Sequence, residues 1–220
     1  MHRYVETICI ERGHPLRLDY HRARLRATLA HEQSPHSEFD LSACLSLLPA
    51  DLRYLDRVRC RVIYDASSIA DVTFSPYTLR PISRLRCIEA DHAAYPRKSA
   101  DRSVLNALFA LRSTADDVII VRNGLLTDTT IANLALFDGR AWHTPSLPLL
   151  AGTHRAALLA GGVLVESDIP ANGLSRFSRL RLFNSMIRWG EIDLPTDCIR
   201  FHSPTSLVDQ TTSELKKTPS

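Results

Sequence analysis

The run DDVIIVRNGLLTDTTIANLALFDGRAWHTP, residues 116–145, sets strand-length apolar segments between turn signals. Val118-Ile119-Ile120-Val121 is β-branched throughout and bounded by Asp117 and Arg122, so residues 117–122 read as a buried strand. Asn123-Gly124 supplies a turn whose backbone can enter positive φ. Residues 134–137 and 141–144 bracket Asp138-Gly139, the strongest hairpin signal in the chain.

Working outward, residues 102–112 predict a short helix packing Val104, Leu105, Leu108 and Leu111. Gly152 opens a second helix that ends at Gly161-Gly162, and a strand at 179–183 runs into Asn184-Ser185. Toward the N-terminus, residues 4–10 read as a strand, Gly13-His14-Pro15 as a turn, and 20–32 as an amphipathic helix. Asp19 is its N-cap, and Leu25 and Leu29 face inward. A short helix at 41–48 and strands at 57–65, 72–79 and 84–90 follow. The fold class is α+β. Pro76 and Pro81 mark irregular backbone, placing a boundary between a smaller N-terminal α+β domain, 1–85, and a larger domain, 86–202, with a polar fraying tail at 203–220.

The chain has 220 residues, 45% of them apolar, enough for a substantial core. No apolar stretch approaches the ~20 residues needed to span a bilayer, and MHRYVETICIERG lacks the order of a signal peptide, so a cytoplasmic protein is expected. Five dispersed cysteines without a close pair argue against a disulfide framework or zinc knuckle, and His92 and His143 have no partners at metal-ligand spacing. A formal charge of +3 with dispersed arginine offers no continuous face for nucleic acid.

The distribution of cations is more informative. Arginine accounts for 24 basic residues, and Lys98 is the single lysine before residue 216. A basic surface can use either side chain, but only lysine forms a Schiff base with an aldehyde. Lys98 is thus either the covalent anchor of an aldehyde cofactor or a lone surface cation. Arg57, Arg59 and Arg61 alternate through RVRCRVIYD and share one strand face, which is either solvated or the cationic wall of a carboxylate-binding cleft.

Several segments in order give the chain a wider likeness: VET at 5–7, HRARL at 21–25, KSADRS at 98–103, the run at 116–145, GTHR at 152–155 and Asn184-Ser185. Together they resemble the class IV aminotransferases, the fold-type IV enzymes dependent on pyridoxal 5′-phosphate, which include branched-chain and D-amino acid aminotransferases and aminodeoxychorismate lyase. The resemblance implies a two-domain architecture, a homodimer with the active site near the subunit boundary, and pyridoxal phosphate as cofactor. It makes Lys98 the lysine that carries the cofactor and moves the substrate proton. Asp128 falls where the family's acidic residue, usually glutamate, pairs with the pyridine nitrogen. Arg24 matches the phosphate-binding arginine, assisted by Gly152, Thr153 and the Ser185 hydroxyl, whereas His154 replaces a common threonine. Asn133 would hold the Asp128 loop. Tyr64 and Tyr95 are candidate pocket walls, and the Arg57, Arg59 and Arg61 face is a candidate substrate site.

For the reaction, the resemblance and the compact chain favour lysis of 4-amino-4-deoxychorismate to 4-aminobenzoate and pyruvate. A class IV aminotransferase is the alternative, and a family-shaped small-molecule-binding protein is the non-enzymatic one.

Overall fold

A computed structural model describes residues 2–33 and 39–201. It shows a mixed α+β fold of three sheets, each faced by helix. The first sheet has the order β2-β1-β3-β4, from β1 (Tyr4–Glu11), β2 (His14–Pro15), β3 (Val58–Tyr64) and β4 (Ile69–Pro76). Its pairings are all antiparallel, with Thr7 opposite Arg61 and Arg61 opposite Thr73. Strand periodicity sends Ile8 and Ile10 of β1 and Val58, Cys60, Val62 and Tyr64 of β3 to one face, against Leu25 and Leu29 of α1 (Leu18–His31) and Leu41 and Cys44 of α2 (Leu41–Ser46).

Two elements here differ from expectation. The segment at 13–15 pairs back on β1 as the edge strand β2, so the turn at Gly13 (φ 83°) closes a hairpin. Helix α1 is preceded by Arg17 in left-handed backbone (φ 55°, ψ 33°), and Asp19 lies within its first turn, paired with Arg22 at 3.0 Å. The Arg17 guanidinium reaches across the chain to donate to the Ser185 carbonyl at 2.9 Å. Val72 and Phe74 of β4 pack partly against this N-terminal core.

The other two sheets form the larger layer. One has the order β13-β5-β6-β7, from β5 (Leu85–Glu89), β6 (Asp117–Arg122), β7 (Leu125–Thr129) and β13 (Ile199–Phe201). The other has the order β10-β9-β8-β11-β12, from β8 (Asn133–Phe137), β9 (Trp142–Pro145), β10 (Leu164–Ser167), β11 (Arg179–Phe183) and β12 (Ile192–Pro195). Their inner faces meet through Leu85, Ile119, Val121 and Leu126 on one side and Leu134, Leu136, Leu180 and Leu182 on the other. Outside them, α3 (Ser103–Ala110) joins the parallel pair β5 and β6, and α4 (Thr153–Ala160) joins the parallel pair β9 and β10. Helix α3 buries Leu105 and Leu108 against Val118 and Ile120, whereas Val104 and Leu111 stay exposed because the helix presents a narrow stripe to the sheet.

Among the described residues no helix is long and apolar enough to cross a membrane, and no cluster of His, Cys, Asp or Glu has the form of a metal site. The described cysteines are unpaired. The tail expected at 203–220 lies outside the described residues.

Candidate active site

The connections of all three sheets converge on one cleft with an empty volume of about 650 Å³, including its mouth. Lys98 enters it from the link between β5 and α3, Asp128 from β7, Asn133 from the start of β8, Gly152 and Thr153 from the start of α4, Ser185 from the turn after β11, and Arg24 from α1. Residues that are far apart in sequence therefore share one wall.

Lys98 is held by its backbone: its carbonyl accepts from Val5 N at 2.9 Å, and Ser99 bridges to Tyr4. Burial, together with the guanidinium groups of Arg24, Arg102 and Arg61, lowers its ammonium from 10.5 to about 8, against the opposing pull of Glu6. An amine so tuned is neutral often enough near neutral pH to act as nucleophile and base.

Asp128 is 4% exposed. Its Oδ1 accepts from Asn133 Nδ2 at 2.8 Å and its Oδ2 from Leu150 N at 2.8 Å. These bonds favour the carboxylate, but burial outweighs them and raises the group from 3.8 to about 7. Asp128 is thus a buried acid without a contacting cation, facing a cleft that can bring one. Asn133 also donates to the Leu150 carbonyl at 2.9 Å, and Gly152 leaves room for it: a Cβ there would sit 2.0 Å from Asn133 Oδ1.

Arg24 presents one edge of its guanidinium to Glu6, with Nε at 2.8 Å and Nη2 at 2.5 Å, and the residue lines the cleft. It lies beside the start of α4, where free backbone N–H groups and the helix dipole favour an anion. Ser185 borders the same space, but its hydroxyl donates to the Thr7 carbonyl at 2.6 Å and has to rotate before donating to an anion. His154 turns away from the cleft, and its Nδ1 donates to the Asn184 carbonyl at 2.8 Å.

The remaining candidates divide. Tyr95 lines the cleft and its hydroxyl donates to the Ser99 carbonyl, bracing the lysine segment. Tyr64 does not line it: the ring is 1% exposed in the N-terminal core, stacked near Tyr4 and behind Arg24. Nor do the three strand arginines act as a set. Arg59 and Arg61 share the expected face of β3, but Arg57, just before the strand, is committed to Glu191 at 2.5 Å and to the Met186 carbonyl at 2.9 Å, where it ties the first sheet to the loop before β12. Arg59 donates to Ser75 at 3.1 Å and is exposed. Arg61, opposite Thr7, is the one whose charge reaches Lys98. Thr7, Arg102, Thr130 and Met186 also line the cleft and escaped the sequence reading. Arg102 lies in the KSADRS segment that carries the lysine, and its nearness in sequence is the signal that could have exposed it.

These contacts suit pyridoxal phosphate: an amine for its aldehyde, an anion anchor for its phosphate, and a buried acid for its ring nitrogen. Comparison with known proteins gives the same direction. Residues 4–193 match the family described as amino-transferase class IV. An uncharacterised protein of Haemophilus influenzae is 32% identical over 188 residues, covering 84% of this chain and 98% of that protein. A candidate aminodeoxychorismate lyase of Schizosaccharomyces pombe is 31% identical over 59% of this chain and 64% of its own length. Among solved structures, a candidate 4-amino-4-deoxychorismate lyase from Haemophilus somnus has 29% identity and a TM-score of 0.77, covering 84% of this chain and 97% of that one. The chain belongs to the class IV aminotransferase family and is a pyridoxal phosphate-dependent enzyme.

Proposed function

We propose that the enzyme is a lyase converting 4-amino-4-deoxychorismate to 4-aminobenzoate and pyruvate, with Lys98 as its catalytic lysine. The observation that carries this reading is the cationic lining of the cleft. Beyond Arg24, which serves as the phosphate anchor, Arg102 lines the same cleft as Lys98, and the substrate brings two carboxylates. Similarity to the Haemophilus somnus protein adds support.

Bound here, pyridoxal phosphate supplies an aldehyde that condenses with an amine and a cationic ring that draws electrons from the reacting carbon. Asp128, oriented by the N–H donors of Asn133 and Leu150, would accept from the ring nitrogen, and Arg24, Gly152 and Thr153 would hold the phosphate. Lys98 takes the proton from the ring carbon that bears the amine. The bond between the ring and the enolpyruvyl oxygen then breaks, and Lys98 returns a proton to the departing methylene. The products contain every atom of the substrate, so neither water nor a 2-oxo acid is consumed, and ring aromatisation drives the elimination.

The test supplies holoenzyme with 4-amino-4-deoxychorismate and measures both products, beside L- and D-amino acids with 2-oxoglutarate. Equal release of 4-aminobenzoate and pyruvate supports the lyase. Amino transfer without either product replaces it with an aminotransferase.

A further inference from the structure

Two buried titratable groups take no part in this chemistry. Glu6 and His21 are both 0% exposed, between β1 and α1. Glu6 accepts two bonds from Arg24 and a third, at 2.5 Å on Oε2, from His21 Nδ1. Although burial opposes it, the Arg24 guanidinium leads the interactions that bring Glu6 down to about 2, so the group is an anion and can only accept. His21 therefore carries its proton on Nδ1. In the neutral ring Nε2 is an acceptor, and Thr153 Oγ1 lies 3.4 Å from it at the first residue of α4.

That contact has two senses. With His21 neutral, the Thr153 hydroxyl turns its proton toward Nε2 and offers the cleft only lone pairs. With His21 protonated, Nε2–H donates to Thr153, whose own O–H is freed to donate into the cleft beside Arg24 and Gly152. Charges around the ring are mixed. Glu6 on β1 favours the protonated form, while Arg24 on the same helix and Arg17 in the turn before it oppose that form. Burial is the largest influence and keeps the ring on the neutral side of its usual value. Lys98 faces the Glu6–Arg24 pair, and Asp128 lies in the same cleft. A dianion at the start of α4 adds the negative charge that His21 lacks.

We propose that His21 and Thr153 make this anchor proton-linked: a phosphate dianion binds together with one proton, taken up on His21 Nε2. The inference rests on reading Arg24, Gly152 and Thr153 as the phosphate anchor. Glu6 and His21 are then positioning residues, one fixing the Arg24 fork and the other setting the direction of the Thr153 hydroxyl.

The test is calorimetric titration of the apoprotein with sulfate, a dianion that does not itself titrate near neutrality. Buffers of different ionisation enthalpy count the protons. The unmutated chain is expected to take up more protons than His21→Asn, by up to about one per site, and its sulfate affinity to rise by up to about tenfold more per unit fall in pH. His21→Asn keeps an N–H for Glu6. Thr153→Val, which keeps the shape without the hydroxyl, should lose the same increment, and Thr153→Ser should retain it. Protons taken up by Lys98 and Asp128 are common to all four chains and cancel in the difference. Equal proton counts and pH slopes in all of them would overturn the linkage while leaving the phosphate anchor standing. No sulfate binding, or binding indifferent to Arg24→Ala, would overturn both.

Discussion

Replacing Gly152 by alanine should disable the cofactor site with a single methyl group. The new Cβ would lie 2.0 Å from Asn133 Oδ1 and 3.1 Å from its Cγ, so the amide has to retreat by about 1 Å. It cannot do so freely, because Asn133 Nδ2 is bonded to Asp128 Oδ1 at 2.8 Å and to the Leu150 carbonyl at 2.9 Å. Losing both bonds inside a buried site, one of them to an acid, costs about 2–4 kcal/mol. Where binding has to restore that arrangement, the cost raises the pyridoxal phosphate dissociation constant by up to roughly 30- to 1,000-fold, and the remainder falls on folding stability. Titration of apoprotein followed by visible absorbance reads it directly, with thermal unfolding in parallel. Removing the obstacle first supplies the control: in an Asn133→Ala background, Gly152→Ala should add little, since the clashing amide is gone. Binding and stability within twofold of the parent in the single variant, or full additivity in the double, would refute the reasoning.

Asp128→Asn should keep most of the bound cofactor and lower turnover by about 10²-fold, whereas Arg24→Ala should mainly weaken cofactor binding; steady-state rates and cofactor titration separate the two. Apoprotein stability should fall as pH rises from about 4 to about 7, because Asp128, raised from 3.8 to about 7, binds more protons folded than unfolded; Asp128→Asn should flatten that slope in denaturant melts. The opposite sign holds for Lys98, lowered from 10.5 to about 8: stability should rise between about 8 and 10.5, and Lys98→Met should remove the rise. Sedimentation of active enzyme should give about twice the chain mass of 24.7 kDa, and a concentration-independent monomer would refute the dimer.

How much of this was legible in the sequence depended on distance along the chain. The β-branched run at 118–121 and the Asp138-Gly139 turn identify β6 and the β8–β9 hairpin because strand propensity and turn chemistry are local. Strand β7 escaped because Thr127, Asp128 and Thr129 look like a polar loop. They are buried since each finds a partner: Thr127 donates to the Ile120 carbonyl, Thr129 accepts from Ala132 N, and Asp128 accepts from Asn133. The short strands β10, β12 and β13 owe their existence to pairing with distant neighbours. For the cleft, an isolated lysine and ordered motifs brought Lys98, Asp128 and Arg24 forward. Glu6, His21 and Arg102 lie inside those same motifs and Arg61 on the alternating arginine face, but their tuning roles stayed hidden because they meet Lys98 and Arg24 only through tertiary packing. Arg57 shows the reverse error: alternation brought it forward, but Glu191, 134 residues away, claims its charge.

The central claim is that Lys98 carries the cofactor. Holoenzyme reduced with borohydride, digested and mapped by mass spectrometry should bear the pyridoxyl group on Lys98, and Lys98→Ala should bear none there. Modification confined to Lys216 or Lys217, or no modification in protein that has bound pyridoxal phosphate, would contradict the account.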